Sequence, residues 1–201
     1  MTKAVFLDRD GVITQEPPHY AHKLDQLALI AKSSDAIRRL NEDGFLVVIV
    51  SNQAGIAHGY YQEADTAAFN QALGEKLMEA GARIDAFYYC PHHPQAKVER
   101  YRVDCDCRKP KPGMLLLAEK ELGIDMKSSY MVGDKLTDIE AGQRAGCETI
   151  LVKTGYGGET VQNNRIECSY IADDLYDAAR HILDLPRNRR RHDDTLAHRT
   201  T

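Results

Sequence analysis

With 201 residues, 43% of them hydrophobic and 28% charged, the chain is long enough to bury one sizeable core and short for two full domains. The formal net charge of -4 gives no electrostatic reason to expect nucleic acid or an anionic membrane as a partner. No apolar run approaches the roughly 20 residues that a membrane helix needs, and the first residues lack the layout of a signal peptide, so we expect a cytoplasmic protein.

The chain opens with a short apolar stretch that ends in two carboxylates and a glycine. Residues 4–7 predict a buried strand, which Asp8, Asp10 and Gly11 follow. Because side chains alternate along an extended backbone, we expect the two carboxylates to project to one side and Arg9 to point away. Two carboxylates in one small space need a cation or a shared proton. A simple strand-to-turn Asx cap is the alternative interpretation of so short a motif.

The rest of the chain alternates between predicted helices and strands. We interpret residues 14–32 and 153–165 as loops, since neither shows a sustained period. The further predicted strands are 45–50, 84–89, 129–132 and 149–152, and the predicted helices are 33–42, 62–80, 114–122, 135–145 and 175–183. This alternation predicts an α/β fold with a doubly wound parallel sheet, in which ligands bind at the carboxyl ends of the strands.

The sequence also predicts the division of the chain. We expect a single domain over residues 1–185, with a loop insertion at 90–107, and a flexible basic tail over 186–201. A basic arm that contacts a partner is the alternative interpretation of the tail.

Polar clusters follow four of the predicted strands, the third of them after the insertion. They are Asp8 with Asp10, Ser51 with Asn52, Arg108 with Lys109, and Asp134 with Lys135. In a doubly wound sheet these positions converge on one crevice. Carboxylates for a hard cation, a hydroxyl and cationic donors are what the transfer of a phosphoryl group requires. Asp138, one helical turn beyond Asp134, either joins this site or favours the start of a helix.

A second cluster combines three cysteines with a histidine. Cys90 and His92, followed by Cys105 and Cys107, form a soft tetrahedral ligand set whose natural occupant is zinc. His93 competes with His92 as the imidazole ligand. Four protein ligands leave no open position, so we expect a structural site. Because the intervening residues are poor in apolar side chains, the metal would be the core of the loop. Unrelated cysteines in a reducing compartment are the alternative.

The other cysteines and three histidines give weaker signals than the two clusters. The five cysteines are an odd number, which fits a metal site better than a disulfide framework. We interpret Cys147 and Cys168 as buried small hydrophobic residues. His19, His22 and His58 are interpreted as surface or wall residues of the site rather than catalytic groups.

The four polar clusters together resemble the haloacid-dehalogenase superfamily of phosphotransferases over residues 3–153. The resemblance implies that Asp8 is a nucleophile that forms an aspartyl-phosphate and that Asp10 is the general acid and base. It also implies that Ser51, Asn52 and Lys109 bind the phosphoryl group. The implied Mg²⁺ ligands are Asp8, the backbone carbonyl of Asp10, and Asp134.

The insertion narrows the resemblance. The segments 90–95, 104–114 and 130–136 are similar to those of the bacterial D,D-heptose 1,7-bisphosphate phosphatases, which implies that Arg108 and Lys135 hold a sugar bisphosphate whose 7-phosphate is removed. It also implies a minimal cap and a monomer. Histidinol-phosphate phosphatases, with a similar but usually shorter loop, are the alternative. A zinc-binding adaptor would leave the aspartates unexplained.

Overall fold

The computed structural model describes residues 2–16 and 20–184, and in this part of the chain six parallel strands form a sheet. They are β1 (Ala4–Leu7), β2 (Leu46–Asn52), β3 (Ala86–Cys90), β4 (Tyr130–Gly133), β5 (Glu148–Val152) and β6 (Tyr170–Ala172). Their order in the sheet is β3-β2-β1-β4-β5-β6. The apolar run of β1 is wholly buried, as expected of a central strand covered on both faces.

Helices cover both faces of the sheet. They are α1 (Ser33–Glu42), α2 (Ala54–Ala57), α3 (Glu63–Glu79), α4 (Gly113–Leu122), α5 (Leu136–Ala145), α6 (Gly157–Asn163) and α7 (Leu175–Asp184). Val5 and Leu7 of β1 face a core shared with α1, α3 and α7, whereas Phe6 faces a core shared with α4 and α5. Within the described ranges, no helix has the length and apolar character to cross a membrane.

The direction of winding reverses at β1. The chain runs from β1 to β2 and β3 on one side, then crosses to β4, β5 and β6 on the other. Val5 pairs with Val47 of β2 and with Tyr130 of β4. Such a reversal opens a crevice at the carboxyl ends of the two adjacent strands, here β1 and β4.

The predicted doubly wound α/β fold is confirmed, with differences in detail. The interpretation of residues 153–165 as a loop is wrong, because α6 forms within them. The segment around Ile171, which had no assigned structure, is the edge strand β6. The predicted tail at 186–201 lies outside the described residues, and the single domain over 1–185 stays a prediction.

Candidate active site

Three carboxylates meet at the carboxyl ends of β1 and β4. Asp8 follows β1 directly, and Asp134 follows β4 in the same way. Asp138 lies in the first turn of α5, where its carboxylate accepts a hydrogen bond from the Lys135 amide at 3.0 Å. One ligand oxygen from each aspartate lies within 4.8 Å of the other two. Asp138 therefore both belongs to the carboxylate cluster and caps the first turn of α5.

The ammonium group of Lys109 lies among these carboxylates. Its Nζ donates to Asp8 Oδ1 at 2.8 Å and to the Val50 carbonyl at 2.7 Å, and it pairs with Asp138 Oδ1 at 2.7 Å. Although burial opposes the charged form, Asp138 and Asp8 raise the pKa of Lys109 above its ordinary value. An ammonium has three donors, so an incoming anion must replace one of these partners.

Asp134 is the carboxylate whose partners are incomplete. Its Oδ2 accepts from the Tyr156 amide at 2.8 Å, whereas its buried Oδ1 finds no hydrogen bond among the described residues and lies 4.0 Å from Lys135 Nζ. Burial and the nearby Asp8 raise the pKa of Asp134 to about 8. A hard divalent cation takes carboxylate oxygens as ligands and offsets the repulsion between Asp8 and Asp134. The residues therefore fit Mg²⁺ at Asp8 and Asp134, while the predicted carbonyl ligand of Asp10 stays a prediction.

Two glycines leave room for Asp134. Gly11 and Gly155 have φ angles of +85° and +58°, and a Cβ on either would overlap the Asp134 carboxylate. The Thr154 hydroxyl donates to the Gly11 carbonyl at 2.6 Å, which fastens the β5–α6 loop to the turn after β1. Gly155 was not predicted from the sequence, because a single loop glycine carries no spacing signal.

Asp10 lies beside this carboxylate cluster, and three neighbours hold its side chain. Arg9 donates through Nη2 to Oδ2 at 2.9 Å and through Nε to Oδ1 at 3.1 Å. Thr14 Oγ1 donates to Oδ1 at 3.0 Å, and Gln53 Nε2 donates to Oδ2 at 3.2 Å. The expectation that Arg9 points away is wrong, because its long side chain turns back onto Asp10 and is buried.

The Ser51 hydroxyl is oriented by an amide and a phenol. Ser51 Oγ accepts from Gln53 Nε2 at 2.8 Å, and Gln53 Oε1 accepts from the Tyr61 hydroxyl at 2.6 Å. Because the Ser51 oxygen accepts this bond, its own proton is free to donate to a bound anion. Gln53, which no motif singled out, thus connects Ser51 with Asp10.

Asn52 lies one layer behind the site. Its Nδ2 donates to the Lys109 carbonyl at 3.0 Å, and its Oδ1 accepts from the Lys109 amide at 3.1 Å. These two bonds fix the backbone that carries the buried ammonium. A direct contact of Asn52 with substrate stays a prediction.

The two cations predicted to bind the substrate have different partners. Arg108 Nη1 donates to the His92 carbonyl at 3.2 Å, so its guanidinium lies against the insertion. Lys135 Nζ pairs with Glu16 at 2.9 Å. Glu16 was not predicted as a site residue, since it follows no predicted strand. The substrate contacts of Arg108 and Lys135 stay predictions.

The cysteine-rich insertion brings its four predicted ligands together. Cys107 Sγ lies 3.1 Å from Cys90 Sγ, 3.2 Å from Cys105 Sγ and 3.5 Å from His92 Nδ1. A hydrogen bond with Cys90 lowers the pKa of the Cys107 thiol to about 5, and a thiolate is the form that binds a metal. Three sulfurs and one imidazole fit a structural zinc. His93 takes no part, since its Nδ1 accepts from a backbone amide at 3.1 Å instead.

The expectation that a metal alone would form the core of the insertion is wrong. Ala96 and Tyr101 are buried against Ile56, Ala57 and Tyr61 in a small apolar cluster. The Val98 amide also donates to the Ala57 carbonyl at 3.0 Å. The insertion is therefore anchored at two places, by the ligand cluster and by these apolar contacts.

Comparisons with known proteins agree with this geometry. A family model described as HAD-hydrolase-like matches residues 106–178. The D-glycero-beta-D-manno-heptose-1,7-bisphosphate 7-phosphatase of Pasteurella multocida is 43% identical over 186 residues, which cover 92% of this chain and 99% of the relative. The chain belongs to the haloacid-dehalogenase-like hydrolases. The resemblance stated from the motifs is confirmed.

Further relatives of this HAD-like hydrolase carry the same name or a similar one. The 7-phosphatase of Escherichia coli K12 is 48% identical over 153 residues, covering 76% of this chain and 80% of the relative. Among solved structures, the D,D-heptose 1.7-bisphosphate phosphatase of B. bronchiseptica, complexed with magnesium and phosphate, has a TM-score of 0.82. It is 33% identical and covers 90% of this chain and 98% of its own.

Aromatic rings border one side of the site in this HAD-like hydrolase. The His22 ring stacks on Tyr61 with centroids 4.8 Å apart, and the His58 ring lies 4.8 Å from His93. This placement agrees with the interpretation of His22 and His58 as wall residues. His19 lies outside the described residues.

The two cysteines outside the cluster differ from each other. Cys147 is buried in the core beneath α4 and α5, and burial raises the pKa of its thiol to about 12, so the prediction of a small buried hydrophobic residue is confirmed. Cys168 is only half-buried, and its Sγ donates to the Tyr170 carbonyl at 3.2 Å. The interpretation of Cys168 as a buried small hydrophobic residue is therefore wrong.

Proposed function

We propose that this chain is a phosphatase that removes the 7-phosphate of D-glycero-β-D-manno-heptose 1,7-bisphosphate during the synthesis of nucleotide-activated heptose. The observation that carries the proposal is the meeting of Asp8, Asp134 and Lys109 at the crevice between β1 and β4. Relatives that align over nearly the whole chain bear this name. The β anomer and the 7-position follow the names of those relatives.

In the first step, Asp8 attacks phosphorus. A bond forms between its carboxylate oxygen and phosphorus while the bond from phosphorus to the sugar oxygen breaks, and Asp10 gives its proton to that oxygen. Lys109 and the free proton of Ser51 hold oxygens of the transferring group. Because Lys109 already contacts Asp8, it also offsets the repulsion between a carboxylate nucleophile and an anionic phosphate.

In the second step, water replaces Asp8. Asp10, now ionised, takes a proton from the water whose oxygen bonds to phosphorus, and the bond from phosphorus to the Asp8 oxygen breaks. Inorganic phosphate and the free Asp8 carboxylate result. Asp8, Asp134 and the Asp10 carbonyl would hold magnesium, which when bound would supply positive charge to stabilise the phosphoryl oxygens.

The remaining residues serve binding and structure. Arg108 and Lys135 bind the sugar bisphosphate, and Asn52 supports the phosphoryl-binding residue Lys109. Zinc at the cysteine and histidine cluster is structural. We propose that the protein is a monomer that acts on a small molecule in the cytoplasm. We also propose that it binds neither nucleic acid nor a membrane, in keeping with its net charge of -4.

The alternatives are weaker. A histidinol-phosphate phosphatase is not favoured, since the relatives that cover the chain are named for heptose bisphosphate. A zinc-binding adaptor accounts for the insertion alone and gives the buried carboxylates no purpose.

The test compares substrates by kcat/KM in the presence of Mg²⁺. We expect the β-anomer of heptose 1,7-bisphosphate to be preferred over the α-anomer and over histidinol phosphate. Asp8→Asn should lower kcat by at least roughly 10³-fold, because an amide does not attack phosphorus, while zinc content and Tm stay near those of the wild type. A preference for histidinol phosphate would overturn the substrate, and an active Asp8→Asn variant would overturn the nucleophile.

A further inference from the structure

Arg9 is a fully buried guanidinium next to the candidate acid and base. Its side chain is 1% exposed. A guanidinium keeps its charge at any biological pH, so burying it costs free energy unless its donors are paired. Packing alone therefore does not explain why a charged side chain is buried at this position.

The contacts of Arg9 join three parts of the molecule. Nη1 donates to Asn70 Oδ1 of α3 at 3.0 Å, and Nη2 donates to the carbonyl of Ala21 at 2.9 Å. The guanidinium carbon lies 4.4 Å from the centre of the Phe69 ring. Nε and the second proton of Nη2 face Asp10. Arg9 is thus held by α3 and by the loop after β1, with one edge left to grip the carboxylate.

The contact of Arg9 with Asp10 differs from the other hydrogen bonds to Asp10, because it involves both carboxylate oxygens. Nε of Arg9 donates to Oδ1 at 3.1 Å and to Oδ2 at 3.2 Å, and Nη2 donates to Oδ2 at 2.9 Å. These two nitrogens form a fork that holds both carboxylate oxygens, which fixes the position and the rotation of the group. Thr14 and Gln53 each donate to a single oxygen. One hydrogen bond to one oxygen does not by itself define the rotation of a carboxylate.

We infer that Arg9 is a positioning residue, which holds the Asp10 carboxyl in the orientation needed for proton transfer to the leaving oxygen. The inference rests on the proposed function of Asp10. It predicts that loss of the fork harms those reactions in which the leaving group needs a proton. Alkyl alcohols need one, whereas p-nitrophenolate leaves readily without it.

The decisive variant is Arg9→Lys, which keeps the charge and loses the fork. We measure kcat/KM for an alkyl ester, glycerol phosphate, and for p-nitrophenyl phosphate. This parameter reports the steps through phosphoryl transfer and leaves out the later hydrolysis. We expect a loss of roughly 10²-fold on the alkyl ester and less than about 10-fold on the aryl ester. Asp10→Asn provides the reference ratio for a missing acid.

Two controls separate positioning from folding. Arg38→Lys makes the same exchange on the exposed face of α1, where Arg38 pairs with Asp35 and Glu42, and should leave both rates unchanged. Phe69→Leu weakens the packing around the guanidinium and keeps its hydrogen bonds, so both esters should respond equally. Where Arg9→Lys does not fold, Asn70→Ala removes one anchor of the guanidinium and should shift the ratio in the same direction.

The outcomes are distinct. Equal losses of kcat/KM on both esters in Arg9→Lys, in parallel with a lower Tm, would show a purely structural role and overturn the inference. Because the two esters are generic, the ratio can be measured whatever sugar the enzyme prefers. A wild-type preference for a phosphomonoester other than heptose bisphosphate would overturn the proposed substrate alone.

Discussion

Adjacent residues Arg108 and Lys109 occupy different environments. Lys109 is 2% exposed and contacts Asp8, whereas Arg108 lies half-buried against the carbonyl of His92. Neighbouring side chains that diverge in this way can bind opposite ends of a long substrate. The distal phosphate of a bisphosphate must be held by some cation or be desolvated at a cost.

We therefore expect Arg108→Ala to weaken the bisphosphate more than a small monophosphate. A charge-assisted hydrogen bond contributes about 1.5–3 kcal/mol, which corresponds to roughly 10-fold or more in kcat/KM for heptose bisphosphate. The loss on p-nitrophenyl phosphate should be small. Arg102→Ala is the matched control, since Arg102 lies in the insertion that Arg108 contacts and donates to the Ala96 carbonyl. Equal losses on both substrates would place Arg108 at the reacting centre.

Residues with a motif were predictable, and residues that act through contacts were not. Asp8, Asp134 and Lys109 were predicted because each follows a strand, and the topology of a parallel sheet brings such positions together. Glu16 and Gln53 have no such signal, since their role depends on how loops fold over the strand ends. Arg9 was misjudged because alternation fixes where Cβ points and not where a long side chain ends.

At the scale of elements, we expect the insertion after β3 to depend on its proposed zinc and on its apolar anchor together. Cys107 contacts the other ligands, and it lies directly before Arg108 in the chain. Loss of the metal should therefore disturb Arg108 before it disturbs the sheet. The apolar anchor at Ala96 and Tyr101 should keep the distal part of the insertion in place.

We expect Cys107→Ser to lower zinc from about one ion per chain to a small fraction, because a hydroxyl is a poor ligand for zinc. KM for heptose bisphosphate should rise, and limited proteolysis should cut within residues 90–107. The control is Cys168→Ser, which lies outside the cluster and should keep its zinc. Full zinc content in Cys107→Ser, measured on protein purified without chelator, would show that the ligand set is wrong.

Elements with strong periodicity or strand composition were predictable, and short ones were not. The β-branched run of β2 and the long α3 were found from sequence. The seven-residue α6 was missed, because it lies among polar residues and owes its position to contacts around Asp134. The apolar anchor was missed for a related reason, since Ala96 and Tyr101 have no common period.

At the scale of the whole molecule, the crowded carboxylates lower the stability of the metal-free fold. The pKa of Asp134 is raised to about 8 from an ordinary value of 3.8. Between these pH values the folded chain holds a proton that the unfolded chain has released. The contribution of Asp134 to stability is therefore lost as the pH rises towards 8. Magnesium has to displace that proton, so it binds more tightly as the pH rises.

We predict that Mg²⁺ raises the Tm, and that the increase is larger at pH 8 than at pH 6. Binding to the folded state alone stabilises it by mass action. Differential scanning calorimetry with and without Mg²⁺ measures the increase, with EDTA present in the metal-free samples. In Asp134→Asn the increase should be smaller and nearly independent of pH. A wild-type increase that is the same at both pH values would contradict the protonation of Asp134.

The position of β1 in the middle of the sheet has a consequence for the growing chain. Val5 is made before β2, yet its neighbour Tyr130 follows only after β2, β3 and the insertion have been synthesised. Until then one edge of β1 has no strand beside it. Asp8 is synthesised before this period and Asp134 after it. A chain whose synthesis stops before β4 thus carries Asp8, the proposed nucleophile, and lacks Asp134, the proposed metal ligand, so no such shortened product contains the complete candidate site.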